Sequence, residues 1–448
     1  MAPLRSWLLL GLSALPAARC RQLDLANWMG QLAPVLGDAS ILDLSLPGAH
    51  DTMTYDLSTT LSEGYEGMGP VISKILHSVT PLLAGEFIRQ QGQTQGLKVT
   101  DMLESGIRFI DFRIMYTDAP DSLKSHKDWY NLHGCQSEHP ALSYLKEIRS
   151  WLDAHPNEII VFWVSRHGDM RLMGTDQYPA TTPAERQAFF TAVHDTFGGL
   201  MFDVSKGRLN ETSVADLWSR GQRVVWYAAD YEQSTSSSPL AMDGRLVDNI
   251  TPGAGSSFGT LGYFRQGAPH REASKANNHF LLVSMAGGPS PTQIEMAATI
   301  NFLPLAKHFG AVEKCSKDFG IPNLTSWCPL DLQEYGQLDN FYNQRVLDAI
   351  YNEGAGTEAV DFPNAIYING IDTGGRIRTG TQRLNPLKLD GGSEPSLTDD
   401  GHDTDGYAYA ATLVGATVRR LCRGTRAQAK GVCEDHSQIS CTEHQIAL

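Results

Sequence analysis

The sequence predicts an α/β fold in which a parallel β-sheet closes into a TIM-type (β/α) barrel with helices on its outer face. Short, continuous apolar segments alternate with segments of helical periodicity along most of the chain. Continuous apolar strands are typical of a parallel sheet that is buried on both faces. Roughly seven or eight such units occur, which is about the number that closes a barrel. The length of 448 residues, 42% of them hydrophobic and 19% charged, suits one barrel with additions better than several small domains.

The predicted elements follow one another in chain order. The predicted strands are residues 41–46, 107–114, 130–133, 158–165, 223–227, 280–285 and 365–369. The predicted helices are residues 99–104, 141–154, 184–197, 214–220, 292–309 and 335–351. Gly- and Ser-rich stretches at residues 234–238, 253–259 and 391–396 are typical of surface loops.

The two ends of the chain differ from the middle. Residues 1–20 combine Arg5 with an apolar run and small residues near a plausible cleavage point, a pattern typical of a secretory signal peptide. We therefore expect the barrel to occupy residues 21–395 and a short helical, disulfide-containing extension to occupy residues 396–448. No later apolar run approaches the ~20 residues that span a bilayer. These features predict a secreted, extracellular protein.

The cysteines and glycosylation motifs agree with this route. Cys20 lies in or next to the signal, and six cysteines remain at positions 135, 315, 328, 422, 433 and 441. Six cysteines permit three disulfides, and we expect Cys315 to pair with Cys328 and further pairing within the carboxy-terminal cluster, although sequence does not determine connectivity. No Cys-x-x-Cys pair occurs, which argues against a metal site built from cysteines. Asn-x-Thr motifs, which predict a glycoprotein, occur at Asn210, Asn249 and Asn323.

The net charge limits the classes of partner. At pH 7 the chain carries a formal charge of −14. Binding to nucleic acid needs a basic surface, and strong capture by anionic membranes needs clusters of Lys and Arg. We therefore expect no nucleic-acid partner.

The residues best suited to chemistry follow an apolar segment, LSLPGAHDT at residues 44–52. The segment stops at a Pro-Gly turn and presents His50 and Asp51. Histidine has an unperturbed pKa of ~6.5, so it can take and return a proton near neutral pH, and a carboxylate can fix its tautomer. Adjacent residues on an extended strand point to opposite sides, so we expect His50 and Asp51 each to need another partner.

Two later strands supply candidate partners. The segment GIRFIDFR at residues 106–113 places Asp111 and Arg113 on one face, and YNLHG at residues 130–134 presents His133 at its end. We expect Asp111 to be a structural partner of Arg108 or Arg113. The five fixed donors of arginine suit the oxygens of a phosphate. One arginine and two histidines at the carboxyl ends of barrel strands can therefore serve phosphoryl transfer without a metal.

These segments carry a specific resemblance. LPGAHDT at residues 46–52, GIRFIDFR at 106–113 and LHG at 132–134, with QTQ at 93–95 and VTDML at 99–103, resemble the X-domain of phosphatidylinositol-specific phospholipase C, of the secreted bacterial and fungal type. The resemblance covers residues 40–168 clearly and is faint beyond. It implies a distorted (β/α) barrel and a PLC-like phosphodiesterase that cleaves an inositol phospholipid, or its glycosylated form, through a cyclic inositol phosphate.

The resemblance also implies roles for single residues. His50 would be the general base that deprotonates the inositol 2-hydroxyl, and His133 the general acid that protonates the departing diacylglycerol oxygen. Arg113 would neutralise charge on the phosphate, and Asp51 would support the acid histidine. The partners implied are a phospholipid at a membrane surface, contacted transiently, and no second copy of the chain.

The family pattern includes a further carboxylate, from a late strand, that orients His50. Here the chain departs from the pattern, because Asn369 stands near the expected place with Asp361 and Asp372 flanking it. We favour Asp372. A base without a carboxylate partner would be weaker.

Three more residues are candidates for substrate binding. Arg166 and His167 follow a predicted strand at the barrel mouth, where they could contact inositol or phosphate, and solvated loop charges are the alternative. Tyr227 could line the pocket, and a core aromatic at a strand end is the alternative.

The resemblance further separates metal-free from metal-dependent relatives. Calcium-dependent members need acidic or amide ligands where this chain has Asp51 and Arg113, and arginine cannot bind a cation. We therefore expect no metal and no cofactor. Two alternatives stay open: a metal-dependent glycerophosphodiester- or sphingomyelinase-D-like phosphodiesterase, and a non-catalytic secreted lipid-binding barrel.

Overall fold

The structure is a computed structural model. It describes residues 23–61, 81–120, 126–167, 171–172, 176–177, 181–228, 235, 238–250, 271–286, 363–369, 378–379, 382–383 and 405–424.

The secondary structure of these residues consists of strands, α-helices and short 3-10 turns. The strands are β1 (Leu46–Ala49), β2 (Leu57–Leu61), β3 (Phe109–Asp118), β4 (Lys127–His133), β5 (Cys135–Pro140), β6 (Ile160–His167), β7 (Arg171–Leu172), β8 (Asp176–Gln177), β9 (Val224–Ala228), β10 (Met242–Asp243), β11 (Val247–Ile250), β12 (Phe280–Ser284), β13 (Ala365–Ile368), β14 (Arg378–Thr379) and β15 (Gln382–Arg383). The helices are α1 (Trp28–Gln31), α2 (Ala33–Leu36), α3 (Pro81–Gly92), α4 (Val99–Glu104), α5 (Ala141–Ala154), α6 (Pro183–Phe197), α7 (Val214–Ser219), α8 (Arg271–Ala276) and α9 (Asp405–Gly424).

The main sheet is built from parallel strands in the order β10-β9-β6-β3-β1-β13-β12-β11. Every neighbouring pair along this path is parallel. The predicted α/β fold class is therefore confirmed, with a sheet that is open between β10 and β11 in the part of the chain described. Strands β2, β4 and β5 lie off the path and pair with antiparallel neighbours.

Two predicted strands differ from the observed ones. Residues 41–43 form a 3-10 turn, and β1 begins only at Leu46. Residues 130–133 belong to β4, which pairs antiparallel with β3 and is not a barrel strand. A short apolar run looks the same in a buried parallel strand and in a hairpin, so periodicity alone could not separate them.

Each face of the parallel sheet carries its own apolar cluster. On β3, Phe109 packs into one cluster with Phe280 and Tyr367, which we call the inner cluster. The next residue, Ile110, packs into the cluster beneath α5 and α6, which we call the outer cluster. Because both faces are buried, these strands are apolar throughout rather than alternating.

The amino end of the sheet is closed by buried polar contacts. Arg108 donates from Nε and Nη2 to Glu158 at 2.9 and 2.7 Å, and its Nη2 also donates to the Leu25 and Ala26 carbonyls. Helix α9 packs at the same end, where Thr417 accepts a hydrogen bond from the Ser45 amide at 2.8 Å. These contacts hold β1 and β3 at their starts and leave their carboxyl ends free to carry side chains for chemistry.

Several predictions fall outside the described residues: the signal at 1–20, the helices 292–309 and 335–351, and Cys20, Cys315, Cys328, Cys433 and Cys441. Cys135 is described, and it is a buried free thiol on β5. Burial raises the pKa of its thiol to about 12. The count of six pairable cysteines is therefore wrong by at least one. Among the described helices, none has the length and apolarity needed to cross a membrane.

Candidate active site

The site begins where β1 ends. Asp51 adopts the left-handed conformation, with φ 45° and ψ 54°, which aspartate tolerates better than most residues. This turn brings the His50 and Asp51 side chains to the same side, with 3.5 Å between His50 Nε2 and Asp51 Oδ2. The expectation that the two point apart is wrong, because it assumed an extended strand through both residues.

Strand β3 supplies the cation of the site. Arg113 is 9% exposed, and its Nη2 donates to Asp111 Oδ2 at 2.9 Å. Its Nε forms an ion pair with Asp51 Oδ1, and its Nη2 donates to His50 Nε2 at 2.8 Å. Asp111 also accepts a hydrogen bond from the Asp51 amide at 3.1 Å. Of the two arginines expected as the partner of Asp111, Arg113 is the one that pairs with it.

The contacts of His50 determine its tautomer. A guanidinium only donates, so Nε2 must carry the lone pair, and Nδ1 must carry the hydrogen. Nδ1 then donates to Asn369 Oδ1 at 2.6 Å. The ring also stacks on Tyr367, with 4.8 Å between centroids. In this arrangement His50 is a neutral imidazole whose basic nitrogen faces the arginine.

The backbone of His50 is held by the QTQ segment. Thr94 Oγ1 donates to the His50 carbonyl at 2.9 Å, and Gln95 Nε2 donates to the same carbonyl at 2.8 Å. Gln95 also donates to the Ile368 carbonyl at 2.9 Å, which ties the end of β1 to the end of β13. Both side chains are fully buried. Sequence reasoning gave this segment no role, and its polar residues offered no signal beyond the resemblance.

His133 completes the cluster from the end of β4. Its Nδ1 lies 2.8 Å from the Gly92 carbonyl oxygen, which only accepts, so this nitrogen also carries the hydrogen. Its Nε2 lies 3.6 Å from Asp51 Oδ2. The same carboxylate oxygen is 3.5 Å from His50 Nε2. One buried carboxylate therefore lies between the two imidazoles.

Burial and charge set the ionisation of the cluster. Desolvation lowers the pKa of His50 below its usual value; the Asp51 carboxylate opposes this effect, and Arg113 adds to it. Burial also disfavours the charged form of Arg113, but Asp111 and Asp51 outweigh it, so the pKa of the guanidinium lies above its ordinary value. Burial, together with Asp111, raises the pKa of Tyr367 to about 12. Near neutral pH His50 is therefore unprotonated and Arg113 is charged.

The expected carboxylate partner of His50 is replaced by an amide among the described residues. Asp361 and Asp372 lie outside the described residues. Asn369 follows β13 directly, and β13 pairs in parallel with β1, with Ile368 opposite Ala49. That register places Asn369 beside His50.

The other predicted residues lie on β6 and β9. Arg166 and His167 form the end of β6, paired in register with Arg113 and Ile114. Tyr227 is fully buried in the inner cluster, with its ring 6.0 Å from that of Phe280. The prediction that Tyr227 contacts substrate is not supported, because its side chain has no solvent-accessible surface, and the core-aromatic alternative describes it.

A cation would compete with Arg113 for the same atoms. His50, Asp51 and Asp111 each offer a ligand atom, and these atoms lie within 4.8 Å of one another. Arg113, however, already bonds or ion-pairs with all three side chains. A divalent cation would have to displace a buried guanidinium, so these residues do not fit a metal while Arg113 stays in place.

Comparisons with known proteins point to one domain family. The family model of the PI-PLC X domain matches residues 84–191. The chain is 34% identical over 219 residues to PI-PLC X domain-containing protein 1 of Mus musculus, covering 48% of this chain and 55% of that protein. The human protein of the same name is 26% identical over 217 residues, covering 48% and 59%. Residues 84–191 therefore resemble the PI-PLC X domain, and about half of the chain is similar to X-domain-containing proteins.

The similarity covers only part of these two proteins. The chain spans a little over half the length of the two X-domain proteins, which are from mammals. Among solved structures, a phosphatidylinositol-specific phospholipase C of Staphylococcus aureus carrying pentafluoro-Phe is similar at 12% identity, with coverage of 87% of this chain and 97% of that one and a TM-score of 0.46. His50 and Asp51 precede the matched residues 84–191 of the X domain, whereas Asp111, Arg113 and His133 lie inside them.

Proposed function

We propose that this X-domain protein is a PI-PLC-like phosphodiesterase that cleaves an inositol phospholipid, or its glycosylated form, by metal-independent general acid-base catalysis. The observation that carries the proposal is the convergence of two imidazole Nε2 atoms on one carboxylate oxygen, at 3.5 and 3.6 Å, beside a buried arginine. Both nitrogens hold lone pairs in their neutral forms, so one ring can accept a proton while the other, once protonated, donates one.

The first step forms a cyclic phosphate. His50 Nε2 takes the proton of the inositol 2-hydroxyl, and the oxygen attacks phosphorus. The bond from phosphorus to the diacylglycerol oxygen breaks, and His133 gives its Nε2 proton to that oxygen. In a second step His133 takes a proton from water, which opens the cyclic ester, and His50 returns its proton to the 2-oxygen. Both histidines then stand as they began.

Charge balance favours a protonated His133 when substrate binds. Arg113 carries one positive charge, and Asp51 and Asp111 carry two negative charges in its immediate contact. A phosphodiester adds a further negative charge, which the two buried carboxylates would repel. An imidazolium at His133 offsets one of these negative charges and so reduces the repulsion, and it is also the form that a general acid needs.

The experiment is phosphorus NMR of the products from phosphatidylinositol, with chelator present. We expect a cyclic inositol phosphate to appear first. His50→Ala and His133→Ala should each lower turnover by about 10²-fold or more. His139→Ala is the matched control, because His139 lies exposed on β5 and bonds to Asp56, outside the cluster.

The proposal fails if either catalytic substitution leaves turnover intact, if no cyclic product forms, or if chelator abolishes activity. One second candidate is a metal-dependent phosphodiesterase for another head group, in which a cation would displace Arg113 from the ligand atoms of His50, Asp51 and Asp111. Stimulation by Mg²⁺ or Ca²⁺ on a lipid without inositol would support it. Binding of lipid without turnover would instead support a non-catalytic lipid-binding barrel.

We also propose that the protein is a secreted, glycosylated monomer that meets its lipid only transiently. Two of its glycosylation motifs are described: Asn249 is exposed on β11, whereas the Asn210 amide donates to the Lys275 carbonyl at 3.0 Å. Expression in a secreting cell should place the protein in the medium with a glycan that Asn249→Gln removes. Retention inside the cell without a glycan would contradict this.

A further inference from the structure

His133 differs from His50 in how its ring is held. It ends β4, and Gly134 follows with φ +78°, a left-handed conformation that lets the chain turn directly into β5. The His133 side chain is 28% exposed, against 16% for His50. Packing therefore restrains this ring less, and a specific contact must set its orientation.

That contact comes from the carboxyl end of α3. Gly92 is the last residue of the helix, and the last carbonyls of a helix have no partner within it. The Gly92 carbonyl accepts a hydrogen bond from His133 Nδ1 at 2.8 Å. A neutral imidazole can carry its hydrogen on either nitrogen. The helix end selects the Nδ1 position and leaves Nε2 facing Asp51 at 3.6 Å.

The close approach requires glycine at position 92. A Cβ at this position would lie 2.0 Å from the His133 carbonyl oxygen. Gly85 lies about two turns earlier on the same face of α3, where a Cβ would lie 2.0 Å from the Thr59 carbonyl oxygen. Two glycines thus let α3 lie against the antiparallel strands, but only the second one touches His133.

We propose that Gly92 is a positioning residue, which fixes the tautomer and the direction of the His133 ring through its carbonyl. The inference rests on the proposed function, in which His133 Nε2 gives a proton to the leaving oxygen. The Nδ1–H bond to Gly92 persists through that transfer. The ring left behind is then the neutral tautomer that can take the next proton, from water, at Nε2.

The test compares Gly92→Ala with Gly85→Ala on two substrates. The leaving group of phosphatidylinositol is an alkoxide, which must be protonated as it departs. The leaving group of a nitrophenyl ester of inositol phosphate is a nitrophenolate, which departs without protonation. Misplacing the acid should lower turnover of phosphatidylinositol by about 10²-fold in Gly92→Ala, with a much smaller loss on the nitrophenyl ester. Gly85→Ala should lower both rates by one common factor. If Gly92→Ala also lowers both by one factor, the residue is only structural and the proposal is overturned.

A second measurement uses the wild-type protein, so it does not depend on whether a variant folds. Nitrogen-15 NMR of the wild-type full chain should show His133 with Nδ1 protonated and Nε2 bare in its neutral form. A neutral His133 protonated at Nε2 would overturn the proposal whatever the activity. Absence of turnover by the wild-type protein would instead refute the proposed function, and the tautomer would still decide the contact with Gly92.

Discussion

Replacing Asn369 with aspartate changes the charge beside the proposed base while keeping an oxygen in the same place. The amide oxygen accepts the Nδ1 hydrogen of His50 at 2.6 Å, and it fixes the tautomer without a negative charge. A carboxylate there would also stabilise the imidazolium. An opposite charge within hydrogen-bond distance shifts a pKa by about 1–3 units. Because Asp51 and Asp111 already surround the ring and repel a third carboxylate, we expect the lower half of that range.

The magnitude follows from that range. A rise of about one to two pKa units corresponds to about 1.4–2.7 kcal/mol of extra stabilisation of the protonated ring. At present burial, reinforced by Arg113, holds the pKa of His50 below its usual value. A general base works when it is unprotonated, so activity falls as pH drops through its pKa. Asn369→Asp should therefore move the acidic limb of the kcat/KM profile upward by one to two pH units.

The assay is a pH–rate profile together with an NMR titration of His50. The variant should be slower than the wild type at low pH and faster on the plateau, since a stronger base transfers the proton more readily. Asn364→Asp is the matched control, because Asn364 is a buried amide at the other end of β13 that bonds to Leu281 and Leu42. An acidic limb that stays in place, or moves down, would refute the reasoning.

Two further predictions concern the arginines of β3. Arg113→Lys should lower kcat by about 10²-fold in steady-state kinetics. One ammonium group cannot reproduce the separate contacts of the guanidinium with Asp111, Asp51 and His50, nor the paired donors that suit a phosphate. A rate near that of the wild type would contradict this prediction. Glu158→Gln leaves the fully buried Arg108 without its counter-charge, so the free energy of unfolding in urea should fall by about 3–5 kcal/mol. A loss under about 1 kcal/mol would show that the backbone carbonyls around Arg108 are enough to stabilise its charge.

The fold could be predicted where burial on both faces of a strand produces a continuous run of apolar residues. Strands β3, β6, β9, β12 and β13 lie at predicted positions, because both faces of each are covered and each reads as an apolar run. Strands β10 and β11 were missed, because they are short and carry Asp243, Asp248 and Asn249. β1 was displaced, since the apolar residues before it form a 3-10 turn that packs just as deeply.

The site could be predicted where strand ends carry charge. His50, Arg113 and His133 stand out because polar side chains follow apolar strands. The role of Asn369 could not be read in the same way, since its contact joins residues far apart in the chain and the chemistry favoured a carboxylate. The shared position of Asp51 depends on its own left-handed conformation, whereas the turn predicted at Pro47-Gly48 is wrong, because both residues belong to strand β1.

If the proposed function holds, the arrangement of Arg113 links substrate binding to activation of His50. Its Nη2 donates to His50 Nε2, so the lone pair that must take the 2-hydroxyl proton is already occupied. A phosphate oxygen is a charged acceptor and makes a stronger hydrogen bond to a guanidinium than a neutral imidazole does. Under the proposed function, a bound phosphodiester therefore accepts the hydrogen bond of Arg113 Nη2 in place of His50, and His50 Nε2 becomes accessible. Asp111 still holds the guanidinium near the site. A bound compound without a phosphate would leave the base covered.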